Sequence, residues 1–281
     1  MTAVLITGTS SGIGRATALR LARRPDLTVY ATARRVEAIS DLAAAGARLL
    51  PLDVTDEASM HAAVDAVEAE HGAVGVLVNN AGYGEYGTIE EADLARVRAQ
   101  FETNVFGLAR MCQLVLPGMR AAGSGRIINV GSMAGRLAFP VGGYYHASKY
   151  AVEALTDALR FEVAPFGVRV SLIEPGLIRT GFGSTAGETL AGSAGPAGPY
   201  SALNAAADEQ MAAAYRSKLA APPQTVAAFI EKAITARRPR TRYVVTVGAM
   251  AVVHTRRLLG ARVFDTYLKV VFRPRGQPRS T

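Results

Sequence analysis

The sequence predicts an α/β protein, a doubly wound parallel sheet with helices on both faces, in a single domain. Three observations carry this. Short apolar runs recur along the chain with helix-forming stretches between them, as strands covered on both faces require. A glycine-rich turn, Gly8-Thr9-Ser10-Ser11-Gly12-Ile13-Gly14, follows the first run and leads straight into a helical pattern. No polar linker interrupts the alternation across 281 residues, 49% of them hydrophobic, which is enough to fill one core.

The first strand is predicted over Ala3–Thr7. In the turn after it, Gly8 permits the tight bend, Gly12 lets the backbone approach a pyrophosphate, and Gly14 lets helix and strand pack closely. The free N–H groups and positive end of the helix then face the phosphates. The spacing Gly-x-x-x-Gly-x-Gly departs from the usual Gly-x-Gly-x-x-Gly signature, so the glycines alone also suit a tight turn in another α/β protein. The second strand, Thr28–Thr32, runs into Ala33-Arg34-Arg35, and the third, Arg48–Leu52, into Asp53 and Val54. The fourth, Val74–Val78, is followed by Asn79-Asn80-Ala81-Gly82. The fifth, Arg126–Val130, ends beside Ser132. The sixth, Arg169–Ile173, precedes Pro175-Gly176, and the seventh is expected over Arg242–Val247.

Tyr145-His146-Ala147-Ser148-Lys149 sets a tyrosine and a lysine four residues apart, so on one helix their side chains share a face. A tyrosine hydroxyl, with a free pKa of about 10, is a poor acid or base at neutral pH. A neighbouring ammonium favours the phenolate and is expected to lower that pKa toward the working range. Ser132, at the end of the fifth strand, is placed to hydrogen-bond the oxygen that gains or loses the proton. Taken alone the pair reads better as an exposed helix face; the glycine-rich start of the chain changes that.

Together these residues resemble the short-chain dehydrogenase/reductase superfamily, whose fold is the Rossmann sheet. The resemblance covers roughly residues 1–180 in order and spacing. The family's Thr-Gly-x-x-x-Gly-x-Gly signature is met by Thr7, Gly8, Gly12 and Gly14, with Thr9, Ser10, Ser11 and Ile13 in the same cradle. Its Asn-Asn-Ala-Gly signature is met by Asn79, Asn80, Ala81 and Gly82. Its catalytic asparagine, serine, tyrosine and lysine fall on Asn104, Ser132, Tyr145 and Lys149, and the stretch bordering the nicotinamide on Pro175, Gly176, Ile178 and Thr180. The resemblance implies an oxidoreductase that moves a hydride between a nicotinamide cofactor and a carbonyl carbon. Tyr145 would exchange the proton, Ser132 orient the oxygen, Lys149 grip the ribose, and Asn104 hold the water of a proton path. The mostly apolar wall Met133-Ala134-Gly135-Arg136-Leu137-Ala138-Phe139-Pro140 resembles the hydroxysteroid and retinol dehydrogenase branch, implying a hydrophobic ketone or secondary alcohol. A cofactor-sensing protein without turnover, and an NADP-linked epimerase or dehydratase, are the alternatives.

The cofactor follows from charge. Where the family's NAD users carry aspartate at the end of the second strand, this chain has Ala33, followed by Arg34 and Arg35. Two guanidinium groups suit a 2′-phosphate, and no carboxylate repels it, so NADP is expected. Asp53 is open to two readings, a contact to the adenine (with Val54 beside it) or a helix cap before Thr55-Asp56-Glu57.

Cys112 is the one cysteine, set in an apolar helix, which excludes an internal disulfide and suits a buried thiol in a reducing, cytoplasmic setting. His61, His71, His146 and His254 lack ligand spacing, so no metal site is expected. His146 either touches substrate or lies on the helix surface. A strand starting at residue 3 leaves no room for a leader peptide, and no apolar run reaches membrane-spanning length. A homo-oligomer is expected from the family resemblance.

Two regions fall outside the shared pattern. Residues 181–223, rich in Ala, Gly, Ser and Thr, fit a substrate lid whose early part has few apolar groups to pin it, with a helix over Asp208–Leu219. The last region is basic. From Arg237 onward eleven cations face one acid, a net +10, so the first 236 residues carry −2 of the chain's +8. Within a C-terminal helical extension over 249–281, Leu259, Val263, Tyr267 and Val270 are expected on one side, and Arg262, Asp265, Lys269 and Arg273 on the other. Such a helix either docks on the fold or lies on an anionic membrane surface. Nucleic acid is not expected, because Phe264, Tyr267 and Phe272 follow apolar spacing and form no stacking platform.

Overall fold

The computed structural model describes residues 1–193 and 198–272. Seven parallel strands form one sheet in the order β3-β2-β1-β4-β5-β6-β7. They are β1 (Thr2–Ile6), β2 (Leu27–Ala33), β3 (Arg48–Pro51), β4 (Val76–Asn79), β5 (Gly125–Val130), β6 (Val168–Glu174) and β7 (Arg242–Val244). Strand order reverses between β1 and β4, so the crossovers from these strands leave on opposite faces and a crevice opens at their carboxyl ends.

Alternate side chains of each strand serve different cores, as the two-residue period demands. Leu5, Leu77, Ile127 and Leu172 point to the face covered by α3 (Glu57–His71), α5 (Leu108–Ala121) and α6 (Gly143–Val163). Val4, Val76, Ile128 and Ile173 point to the face covered by α1 (Gly12–Leu21) and α9 (Pro223–Thr235). A helix α2 of one turn (Asp41–Ala44) covers the β2–β3 edge. α4 (Leu94–Phe101) joins α5 through a π-helical turn, Glu102–Gly107. The turn seats close against the core, for a Cβ on Gly107 would lie 2.3 Å from the Val54 carbonyl oxygen.

The lid is more ordered in its early part than its composition suggested. It forms α7 (Phe182–Ser193), with Ala186 and Leu190 buried, and α8 (Ser201–Arg216), which begins seven residues ahead of the expected helix. The seventh strand is three residues shorter than expected, because the Thr246 hydroxyl accepts from the Ala249 N–H at 3.2 Å and starts α10 (Val247–Val271).

The C-terminal helix also differs from expectation in the face it buries. Phe264 and Val253 are buried with Leu137, and Leu268 and Phe139 pack on them. Val263, Tyr267 and Val270, expected on the docked side, are exposed beside Arg262, Asp265 and Lys269. Gly260, at φ 75° and ψ −179°, kinks α10 and resets the helical phase, and the larger Phe264 takes the buried place 6.1 Å from Phe139. The side chain of Leu259 and all of Arg273 lie outside the described residues. Among the described residues no helix is long and apolar enough to cross a membrane.

Candidate active site

The crevice at the switch point is a cleft of about 1310 Å³. At one end Gly8, Ser10, Ser11, Gly12 and Ile13 line it. Gly8 holds φ 71°, and a Cβ there would lie 2.9 Å from Ala81 Cα; a Cβ on Gly14 would lie 2.2 Å from the Gly8 carbonyl oxygen. Only glycine fits either place. Asn80 locks the turn from the other side, its Nδ2 donating to the Thr7 and Gly8 carbonyls at 3.0 and 2.9 Å. Ser11 gives α1 no side-chain cap and the first turn holds no acid, so the opening N–H groups of the helix are left for an anion. Thr9, expected in the cradle, is instead turned away: its buried hydroxyl donates to the Thr32 carbonyl at 3.0 Å and fastens the loop to β2.

Beyond this turn the cleft is lined by Ala33 and Arg34 after β2, and by Leu52, Asp53, Val54 and Thr55 after β3. Arg35 is exposed at the start of the next 3-10 turn and is not among the lining residues. Asp53 does not cap α3; that cap is Asp56, which accepts from the Ser59 N–H at 2.8 Å. Asp53 instead accepts from the Thr55 N–H and hydroxyl at 2.9 and 2.8 Å, which fixes the carboxylate at the cleft edge.

Ala81, Gly82, Pro175, Gly176, Ile178 and Thr180 also line the cleft, Thr180 beside the glycine turn, where a Cβ on Gly12 would lie 3.3 Å from its Cγ2. Ser132, Tyr145 and Lys149 line the same cleft. Tyr145 and Lys149 both lie on α6, four residues apart and buried. Burial pushes the Tyr145 hydroxyl up to about 12, and the Ser132 hydroxyl opposes this by favouring the phenolate. The expected fall in the tyrosine pKa is therefore absent here. Burial outweighs it, and it also pushes Lys149 down to about 8 while the ammonium donates to the Val130 carbonyl at 3.0 Å. Asn104 is buried in the π-helical turn and does not line the cleft. It accepts from the Tyr83 N–H at 3.0 Å and donates to the Tyr83 carbonyl and the Ser148 hydroxyl at 2.8 and 3.1 Å. A Cβ on Gly82 would lie 2.9 Å from Asn104 Oδ1 and 3.7 Å from Lys149 Nζ, so both side chains crowd that glycine.

Two rings that no sequence spacing pointed to, Tyr86 and Phe182, surround Tyr145 together with the neighbouring His146. The Tyr86 ring stacks on Tyr145 at 5.6 Å, and Phe182 from α7 approaches at 5.2 Å. His146 is buried, contrary to a helix-surface place. Its Nδ1 lies 3.0 Å from the Ala134 carbonyl oxygen, and Nε2 accepts from the Phe139 N–H at 3.3 Å. That pairing fixes the neutral tautomer with the proton on Nδ1, and burial lowers the pKa in the same sense. His146 thus clamps the apolar wall of Met133, Ala134, Phe139 and Pro140 to α6. Val141, which ends this wall, takes φ 57°, a costly place for a β-branched residue, and its carbonyl accepts from the Gly87 N–H at 2.7 Å. Cys112 is buried as expected, its thiol pushed up to about 12 by burial, with Asn79 Nδ2 3.2 Å away.

Comparison with known proteins agrees with this geometry. The family model described as short chain dehydrogenase matches residues 2–191. A 3-ketodihydrosphingosine reductase of Bacteroides thetaiotaomicron is 44% identical over 180 residues, 64% of this chain and 65% of that protein. The 17-beta-hydroxysteroid dehydrogenase type 1 of Homo sapiens is 43% identical over 192 residues, 64% of this chain and 58% of that one. The chain thus spans under two thirds of either relative. Among solved structures, a short chain dehydrogenase/reductase from Burkholderia phymatum in complex with NAD superposes with TM-score 0.77 at 30% identity, covering 100% of this chain and 98% of that one. A serine dehydrogenase complexed with NADP+ gives 0.75 at 28% identity, covering 87% and 94%.

Proposed function

The chain belongs to the short chain dehydrogenase family, and on that footing we propose an oxidoreductase that exchanges a hydride between NADP(H) and a hydrophobic ketone or secondary alcohol. One arrangement carries the reading: a buried tyrosine hydroxyl beside a serine hydroxyl, four residues from a buried lysine on the same helix, all lining one cleft. The glycine turn, the uncapped end of α1 and the wall from Pro175 to Thr180 would hold the cofactor, which supplies or accepts the hydride. In reduction Tyr145 gives its proton to the carbonyl oxygen, and the Ser132 hydroxyl donates a hydrogen bond that orients it. Lys149 steadies the phenolate left behind and would hold the nicotinamide ribose. Asn104 anchors the loop at Tyr83, next to the lysine from which the family's proton path leaves.

Arg34 on the cleft wall, with Ala33 in place of a carboxylate, favours the 2′-phosphate of NADP over the bare ribose of NAD. Met133, Phe139, Pro140, Tyr86 and Phe182 favour an apolar substrate, and relatives named for a ketodihydrosphingosine and a hydroxysteroid fit that class. We infer a cytoplasmic homo-oligomer with peripheral membrane contact through its C-terminal helix.

Purified protein should oxidise NADPH, and NADH more slowly, with cyclic and long-chain ketones, and should leave aldoses untouched. No oxidation with any ketone overturns the reading.

A further inference from the structure

α10 forms part of the cleft wall. Gly248, Ala249 and Val252 from its first half, and Tyr267 and Val271 from its second, line the wall. Val253 and Phe264 of the same helix are buried against Leu137, but other apolar side chains on it are uncovered. Leu258 is 79% exposed, Val247 77%, Val270 72% and Val263 48%. Single apolar groups on a surface need no explanation, but this many on a helix that also lines the cleft mark an interaction face. Tyr267 belongs to both, lining the cleft while 48% exposed.

Cations are interleaved with these side chains. Arg257, Arg262 and Lys269 are exposed, and Asp265 is the one acid in the helix sequence. Their charge belongs to the +10 segment from Arg237 onward, against −2 for the rest of the chain. A second copy docked through the same face would set like charges against each other. An anionic bilayer offers what the face lacks, negative charge for the cations and an apolar layer for Leu258, Val263 and Val270.

Building on the reductase reading, we propose that the outer face of α10 rests on an anionic bilayer and that the cleft beside it takes up a carbonyl substrate dissolved in that bilayer.

Full-length protein should co-sediment with phosphatidylcholine vesicles carrying about a third phosphatidylglycerol, not with phosphatidylcholine alone, and salt should weaken the binding steeply. Arg257→Gln with Arg262→Gln should lower vesicle affinity about 25-fold, at about five-fold per cation. Leu258→Glu with Val270→Glu, both at exposed positions, should abolish binding and leave the rate with cyclohexanone in vesicle-free buffer unchanged. Wild type should reduce a long-chain aliphatic ketone faster when anionic vesicles carry it than when neutral ones do, and both double variants should lose that advantage. Binding that ignores lipid charge, a rate indifferent to the vesicle, or a dimer that the Leu258 and Val270 changes dissolve would each overturn the proposal. No NADPH oxidation with either ketone refutes the reductase reading instead, and the sedimentation result then decides the surface contact by itself.

Discussion

The Lys149 ammonium donates to the Val130 carbonyl at 3.0 Å, which moors the cation of the Tyr145–Lys149 pair to the carboxyl end of β5. The bond holds the charge in a buried place where its own pKa falls to about 8. The rate constant kcat/KM reports the free enzyme. For ketone reduction it should therefore stay level below about pH 8 and fall as the ammonium is lost above it. Lys149→Met should be slow at every pH and lack that descending limb. The sign for stability is opposite: a lysine with a depressed folded pKa stabilises the fold above its ordinary pKa and loses that contribution as pH falls toward 8. Thermal melts at pH 7 should find the Met variant no less stable than wild type, and a large loss of stability would show that the Val130 bond outweighs burial.

His146 has both ring nitrogens engaged with the substrate wall, which gives it a role separate from chemistry. His146→Phe removes both bonds and leaves the Phe139 N–H and Ala134 carbonyl unmet, a cost of about 1–3 kcal/mol. The expected kinetic result is a KM for ketone raised about tenfold, with NADP affinity unchanged. His146→Gln, which keeps one polar contact, should recover part of the loss. Equal loss of kcat and cofactor binding would mean that the helix itself is disturbed.

Arg34 governs cofactor choice in this reading. A charge-assisted contact to phosphate contributes roughly 1.5–3 kcal/mol, so Arg34→Ala should reduce the preference for NADP over NAD by about one to two decades. Titration of each cofactor by fluorescence measures this. A wild-type protein that binds NAD as tightly as NADP would show that the guanidinium makes no such contact.

The strands were legible because an apolar run is a local signal, and six of the seven both begin and end within two residues of their expected bounds. β7 was read too long because Val244-Val245-Thr246-Val247 continues an apolar run while Thr246 is already a helix cap. The lid helices were blurred by an alanine-rich sequence with little contrast between faces. The site residues that follow strand ends, Gly8, Asn80, Ser132 and Pro175, were legible because motif and sheet position coincide. Tyr86 and Phe182 were not, because each meets Tyr145 across a long separation that no spacing encodes, and the His146 clamp was not, because its bonds depend on how the irregular segment before α6 folds back on the ring. The packed face of α10 was missed because Gly260 shifts the helical phase, which periodicity assumes constant.

Tyr145 is the one group whose loss should remove chemistry and spare the rest. Turnover of a hydrophobic ketone and NADPH binding should be measured side by side for wild type and Tyr145→Phe. The phenylalanine keeps the packing against Tyr86 and Phe182 and removes only the hydroxyl. Turnover should fall by at least about two to four decades, the usual scale of general acid catalysis, while cofactor affinity stays within about twofold. A variant that reduces ketone at close to the wild-type rate would contradict the assignment of Tyr145 as the proton donor.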